Sequence, residues 1–181
     1  MADRPLRIAC IGEAMIELSG LDPAAGRLEV GVAGDTLNTA IYLRRALGGR
    51  ATLRYLTALG DDRFSDHILA AMGREGIDAS GVARLPGRLP GLYAIAVDER
   101  GERSFSYWRS ESAARDMFGP GGLVMEGLLD HDVLILTGIT LAILPPAHRE
   151  GLVALCGRAK AAGRLVAFDT NHRPRLWESE A

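Results

Sequence analysis

Gly34-Asp35-Thr36-Leu37-Asn38 brings together residue types that can hold a polyhydroxylated ligand. Gly34 lets a ligand approach the main chain where a Cβ would block it. Asp35 or Thr36 can cap the helix that follows, and the free N–H groups of its first turn, beside the Asp35 carboxylate and the Asn38 amide, can hydrogen-bond hydroxyls. An ordinary capped helix carries the same residues, so the stretch alone leaves both readings open. Tyr93, Tyr107 and Arg109 form an aromatic, cationic set that suits a cover over a small polar anion, although such aromatics also simply pair across strands. Arg173, close to Asp169 and Asn171, is either a ligand-binding cation or an exposed loop charge. Glu13 and Glu17 could act as a carboxylate pair in acid–base work; at a strand end they are expected to be solvated instead. Asp61-Asp62 could bind magnesium, but between a strand and a helix a capping role is expected.

The elements that must position these residues alternate. Leu6 to Ile11 is a nearly continuous apolar run ended by Gly12, the pattern of a strand buried on both faces. A second apolar group at Met15, Ile16 and Leu18 follows, then a short strand over Leu28–Val32. Leu37, Ala40, Ile41 and Leu47 recur at helical spacing and predict a helix over Asp35–Leu47, closed by Gly48-Gly49. A strand is expected over Ala51–Leu59, and a helix marked by Phe64, Ile68, Leu69 and Met72 ends near Gly76. Leu92–Val97 and Ser104–Arg109 flank a polar turn and read as an antiparallel hairpin, with Phe105, Tyr107 and Arg109 on one face and Tyr93, Ile95 and Val97 sharing a face of the other strand. Val133–Leu136, a helix after Pro145-Pro146, and a buried strand over Leu165–Phe168 complete the pattern.

Strands alternating with helices imply an α/β fold, a parallel sheet flanked by helices, with ligands at the carboxyl ends of the strands. Those ends are polar here: Gly12-Glu13, Gly60-Asp61, Thr137-Gly138 and Asp169–Asn171. The hairpin does not fit this winding and is expected to project as a small separate sheet.

With 181 residues, 48% of them hydrophobic, the chain can bury one full core. A net charge of −2 with interspersed signs gives no basic stripe for nucleic acid. Cys10 and Cys156 lie in apolar runs and read as core residues, not a disulfide framework. The four histidines show no metal-ligand spacing, so no metal site is expected. No apolar run is long enough to span a bilayer, and the start lacks a signal-peptide layout; a cytoplasmic protein with no membrane partner is expected.

Five blocks together resemble the ribokinase-like (PfkB) carbohydrate kinases, and within them the 2-keto-3-deoxygluconate kinases. They are Gly12–Leu18, Gly34–Ala40, Thr57–Asp62 with Phe64-Ser65, Tyr107–Arg109, and Phe168–Trp177. The blocks span essentially the whole chain; one spacing departs, since Asn38 precedes Gly48 by ten residues, one more than the family's commonest pattern. The resemblance implies a ribokinase-like sheet with a small antiparallel lid, its strands at about 14–32 and 91–110. By position it implies that Gly34, Asp35 and Asn38 hold sugar hydroxyls, and that Tyr93, Tyr107 and Arg109 contact the sugar from the lid. Arg173 would stand between the acid sugar and the phosphates of ATP, with Asn171 on the nucleotide side. Arg109 and Arg173 suit a substrate carboxylate, because a guanidinium fork pairs with it through two hydrogen bonds.

The reaction implied is MgATP-dependent phosphorylation of 2-keto-3-deoxygluconate to 2-keto-3-deoxy-6-phosphogluconate. The family's base lies in a Gly-x-Gly-Asp motif of its second half, and this sequence contains no such motif. The chain is therefore expected to be the N-terminal portion of one sugar kinase domain, with the catalytic base downstream and the C-terminal part of the fold absent. The alternatives are a kinase for another sugar, such as ribose or fructose, and a non-catalytic sugar-binding remnant. A homodimer through the lid is implied by resemblance, and an unpaired strand near Leu165–Phe168 is expected to invite association.

Overall fold

The computed structural model describes residues 4–22 and 25–177. Its main sheet has five parallel strands: β1 (Leu6–Ile11), β4 (Ala51–Leu59), β5 (Val82–Arg84), β8 (Val133–Thr137) and β9 (Leu165–Asp169), in the order β5-β4-β1-β8-β9. The apolar run of β1 is continuous because both of its faces are covered. Ala9 and Ile11 join one core with Leu134, Leu136, Leu152 and Leu155, while Ile8 and Cys10 join the other with Leu37, Leu53, Ile68 and Met72. The first core lies under α4 (Pro146–Ala161) and the second under α1 (Asp35–Leu47) and α2 (Arg63–Arg74). Each fully buried Leu or Ile contributes about 1.5–3 kcal/mol through the water it leaves behind.

The small sheet contains β2 (Met15–Asp22), β3 (Arg27–Ala33), β6 (Gly91–Val97) and β7 (Arg103–Trp108), in the order β3-β2-β6-β7. Two antiparallel hairpins, β2–β3 and β6–β7, are joined by a parallel pairing of β2 with β6. The hairpin thus lies, as expected, in a small sheet separate from the main one, where it completes the sheet begun by β2 and β3. One register row crosses all four strands, Gly31–Glu17–Tyr93–Tyr107, so these side chains share a face. On the other face Ile16, Leu18, Val32 and Leu92 pack into the second core, which fixes the small sheet to the body at its root.

Several sequence expectations need correction. The cap of α1 is Gly34, with no side-chain capping bond, because the helix already begins at Asp35. A three-residue strand, β5, and a short helix, α3 (Gly138–Ile143), are added; too few residues are involved for periodicity to show them. β9 is not buried as its apolar run alone suggests; it is the expected unpaired strand, at one edge of the sheet, with Leu165 62% and Phe168 49% exposed. Asp62 does cap α2, accepting from Phe64 N at 2.8 Å and Ser65 N at 3.1 Å.

Candidate functional site

β3 ends and α1 begins at Gly34, in the crook between the two sheets. A Cβ at Gly34 would collide with the carbonyl oxygen of Glu13, so only glycine lets β3 and the β1–β2 connection pass this closely. The first turn of α1 therefore opens toward the carboxyl ends of the parallel strands. Asp35 is bound on three sides: Oδ1 accepts from Thr36 N at 2.7 Å, and Oδ2 accepts from Thr137 Oγ1 at 2.6 Å and Asn171 Nδ2 at 3.0 Å. Its carboxylate thus ties the start of α1 to the ends of β8 and β9. The positive end of the α1 dipole favours that charge. Asn171 reaches Asp35 because it turns the chain after β9 in the left-handed region (φ 27), which asparagine tolerates better than most residues. Below this, the buried Thr36 hydroxyl pairs with Tyr55 Oη at 2.8 Å, and burial pushes the Tyr55 phenol far up.

The lid supplies the facing wall. The Tyr93 ring lies 5.8 Å from Tyr107 and 6.3 Å from Phe105, which makes an aromatic floor across β6 and β7. The Tyr93 hydroxyl donates to Glu17 Oε2. Burial first, then the Glu17 carboxylate, pushes the Tyr93 phenol up, so it stays protonated and its oxygen remains able to accept from a ligand hydroxyl. Arg109, just beyond β7, donates from Nη2 to Glu13 Oε2. Burial pushes the Glu13 carboxyl up, against the pull of Arg109, the Ser112 hydroxyl and Arg115.

These walls enclose a cavity of about 830 Å³, large enough for a sugar together with part of a second ligand. Every residue singled out in the sequence as substrate- or nucleotide-binding lines it: Gly34, Asp35, Asn38, Tyr93, Tyr107, Arg109, Asn171 and Arg173. Met15, Phe105, Ile139 and Arg175 also line it, and sequence reasoning had not picked them out. Phe105 was legible in principle, two residues before Tyr107 on the same face. Glu13 and Glu17 are the clearest correction. The expected solvated strand-end pair is instead a 2%-exposed carboxylate on Arg109 and a half-buried one on Tyr93. Their partners lie 96 and 76 residues away, beyond the reach of any local signal. Trp108, next to two lining residues, sits on the opposite face and lines a second, smaller hollow. No helix among the described residues is long and apolar enough to cross a membrane.

A family profile described as pfkB family carbohydrate kinase matches residues 6–181. The chain is 46% identical over 177 residues to a 2-dehydro-3-deoxygluconokinase of Escherichia coli K12, covering 96% of this chain and 56% of the relative. It is 44% identical over 178 residues to the Dickeya dadantii protein of the same name, again covering 96% and 56%. The fold superposes on a Xylella fastidiosa fructokinase with bound ATP at a TM-score of 0.78 and 28% identity, covering 97% of this chain and 52% of that one. The chain spans about half the length of the curated relatives it matches.

Proposed function

The chain belongs to the pfkB family of carbohydrate kinases, and from that premise we propose that its cavity holds 2-keto-3-deoxygluconate for ATP-dependent phosphorylation to the 6-phosphate. The observation that carries this reading is the set of guanidinium residues on one cavity, Arg109 from the lid side and Arg173 with Arg175 from the strand-end side, around the polar turn of α1. Guanidinium forks suit a carboxylate on the ligand and phosphates beside it. Gly34, Asp35 and Asn38 take the sugar hydroxyls, Tyr93 and Tyr107 cover the ring or chain, and Asn171 with Arg173 faces the nucleotide. ATP would bring Mg2+ on its phosphates and supply the transferable phosphoryl group.

These residues bind and orient; they do not include the base. The sequence contains no Gly-x-Gly-Asp, and in this reading the residues named here form the acceptor-sugar side of the site. A second reading, a neutral ketose, draws on the likeness to a solved fructokinase. Titration calorimetry of the chain with 2-keto-3-deoxygluconate and with fructose separates the two. One charge-assisted hydrogen bond is worth about 1.5–3 kcal/mol, so the acid is expected to bind roughly tenfold tighter or better. Equal or reversed affinities would overturn the acid reading. Exposed Leu28, Val30 and Trp108, on the lid face turned away from the cavity, support a second copy of the chain docking there.

A further inference from the structure

We propose that Glu13 is a positioning residue whose buried carboxylate holds the Arg109 guanidinium at the root of the lid, so that Arg109 presents its Nη1 end to a ligand carboxylate. The proposal rests on the reading that Arg109 meets that carboxylate.

Glu13 does not line the cavity; Arg109 does. The Glu13 side chain is 1% exposed and that of Arg109 9%, and the two form an ion pair through Oε2 and Nη2. A carboxylate so deeply buried is kept charged only by a partner, and Arg109 is the cation in contact with it. Among the described residues, Nη1 of Arg109 has no protein acceptor, which leaves that end of the fork for a ligand. An arginine with one terminal nitrogen fixed has lost most of its rotamer freedom before any ligand arrives, so less is lost on binding.

The surroundings are shaped for this carboxylate. Gly91, the first residue of β6, lies against it: a Cβ there would sit 2.5 Å from Glu13 Oε1 and 3.2 Å from Arg109 Cβ. The absent side chain at position 91 is the space the ion pair fills. The pair also ties together the entry and the exit of the chain through the lid, which the strand register places at the same end of the sheet. Glu13 lies where the chain enters β2, and Arg109 where it leaves β7. The direction in which Arg109 points is therefore fixed by the same contact that anchors the lid.

The test uses the affinity ratio of 2-keto-3-deoxygluconate to fructose, measured by calorimetry on the 181-residue chain. Glu13→Gln keeps the side-chain shape and one acceptor but removes the charge, and the ratio is expected to fall about fivefold to tenfold. Gly91→Ala keeps every charge but displaces the carboxylate, and the ratio is expected to fall likewise; it supplies the result if Glu13→Gln is too unstable to titrate. Equal losses for acid and neutral sugar would make the pair merely structural and overturn the proposal. A rise in the ratio would also overturn it, because Glu13 would then be competing with the ligand for Arg109. Arg109→Ala separates the two levels. If that substitution leaves the ratio unchanged, the carboxylate reading of Arg109 fails and the proposal falls with it. If it collapses the ratio while the Glu13 and Gly91 variants do not, only the proposal fails.

Discussion

At the scale of single residues, charge is arranged around a few fixed carboxylates. Asp132, at the start of β8, accepts from Arg4 through both oxygens at 2.6 Å and from Arg7 N at 2.9 Å, with Arg164 at 3.2 Å. The hydrogen bond from Arg4 and that from the Arg7 backbone hold its carboxyl well below the usual range. The sign follows: a carboxyl whose native value is depressed contributes stability that is fully present above its unfolded value, about pH 4, and is lost as pH falls below that toward the native value. Asp132→Asn is therefore expected to lower the melting temperature by a few degrees at pH 7, and the gap to wild type should close as the pH drops below about 4. A gap of constant size across that range would show that the effect is packing rather than charge. Cys10 illustrates the other fate of a titratable group: burial alone pushes its thiol up to about 12, so it is expected to resist alkylation while the chain is folded.

At the scale of elements, helix starts decide where side chains can converge. α2 is capped by Asp62, which also accepts from the Ser65 hydroxyl at 2.6 Å while Ser65 Oγ in turn accepts from Gly60 N at 2.9 Å. Burial works against the Asp62 carboxylate, but the Ser65 hydroxyl and the Ser65 and Phe64 amides outweigh it and hold the group below its ordinary value. Asp62→Ala should cost about 1 kcal/mol, read as a lower denaturation midpoint with an unchanged slope. An unaffected midpoint would mean that water caps α2 equally well. α1 is built the opposite way. It has no side-chain cap at Gly34; its first carboxylate, Asp35, takes Thr36 N with one oxygen and is turned to the ends of β8 and β9 with the other. One helix is sealed for stability. The other opens onto the cavity.

At the scale of the whole molecule, the parallel sheet has an outer strand, β9, whose edge and apolar side chains face solvent. Such an edge offers unpaired backbone groups and apolar surface together, a template for association. The chain is expected to sediment in a concentration-dependent way, and Leu165→Lys with Phe168→Lys should shift it toward the monomer. Association that survives those changes and is lost in Trp108→Asp would assign it to the lid face alone and remove β9 from the contact. The lid is the other large-scale device. Its second strand pair is donated by residues 91–108, long after the first pair at 15–33, and the parallel contact of β2 with β6 closes the cavity's roof.

The sequence by itself determined the elements and most of the cavity wall. Apolar periodicity is a local property, so β1, β4, α1 and the β6–β7 hairpin could be read from runs of a few residues. The eight residues carried over by position are those that the turn of α1, the lid and the segment after β9 bring to one cavity. Only the tertiary structure decided which polar groups face each other. Glu13 and Glu17 look solvated in sequence because strand-end carboxylates usually are. Glu13 is buried and Glu17 half-buried because Arg109 and Tyr93, in the hairpin region that arrives much later in the chain, compensate them. The apolar run of β9 specified a strand but not its surroundings: only the resemblance pointed to an unpaired strand there, and its neighbours in the sheet put it at the edge.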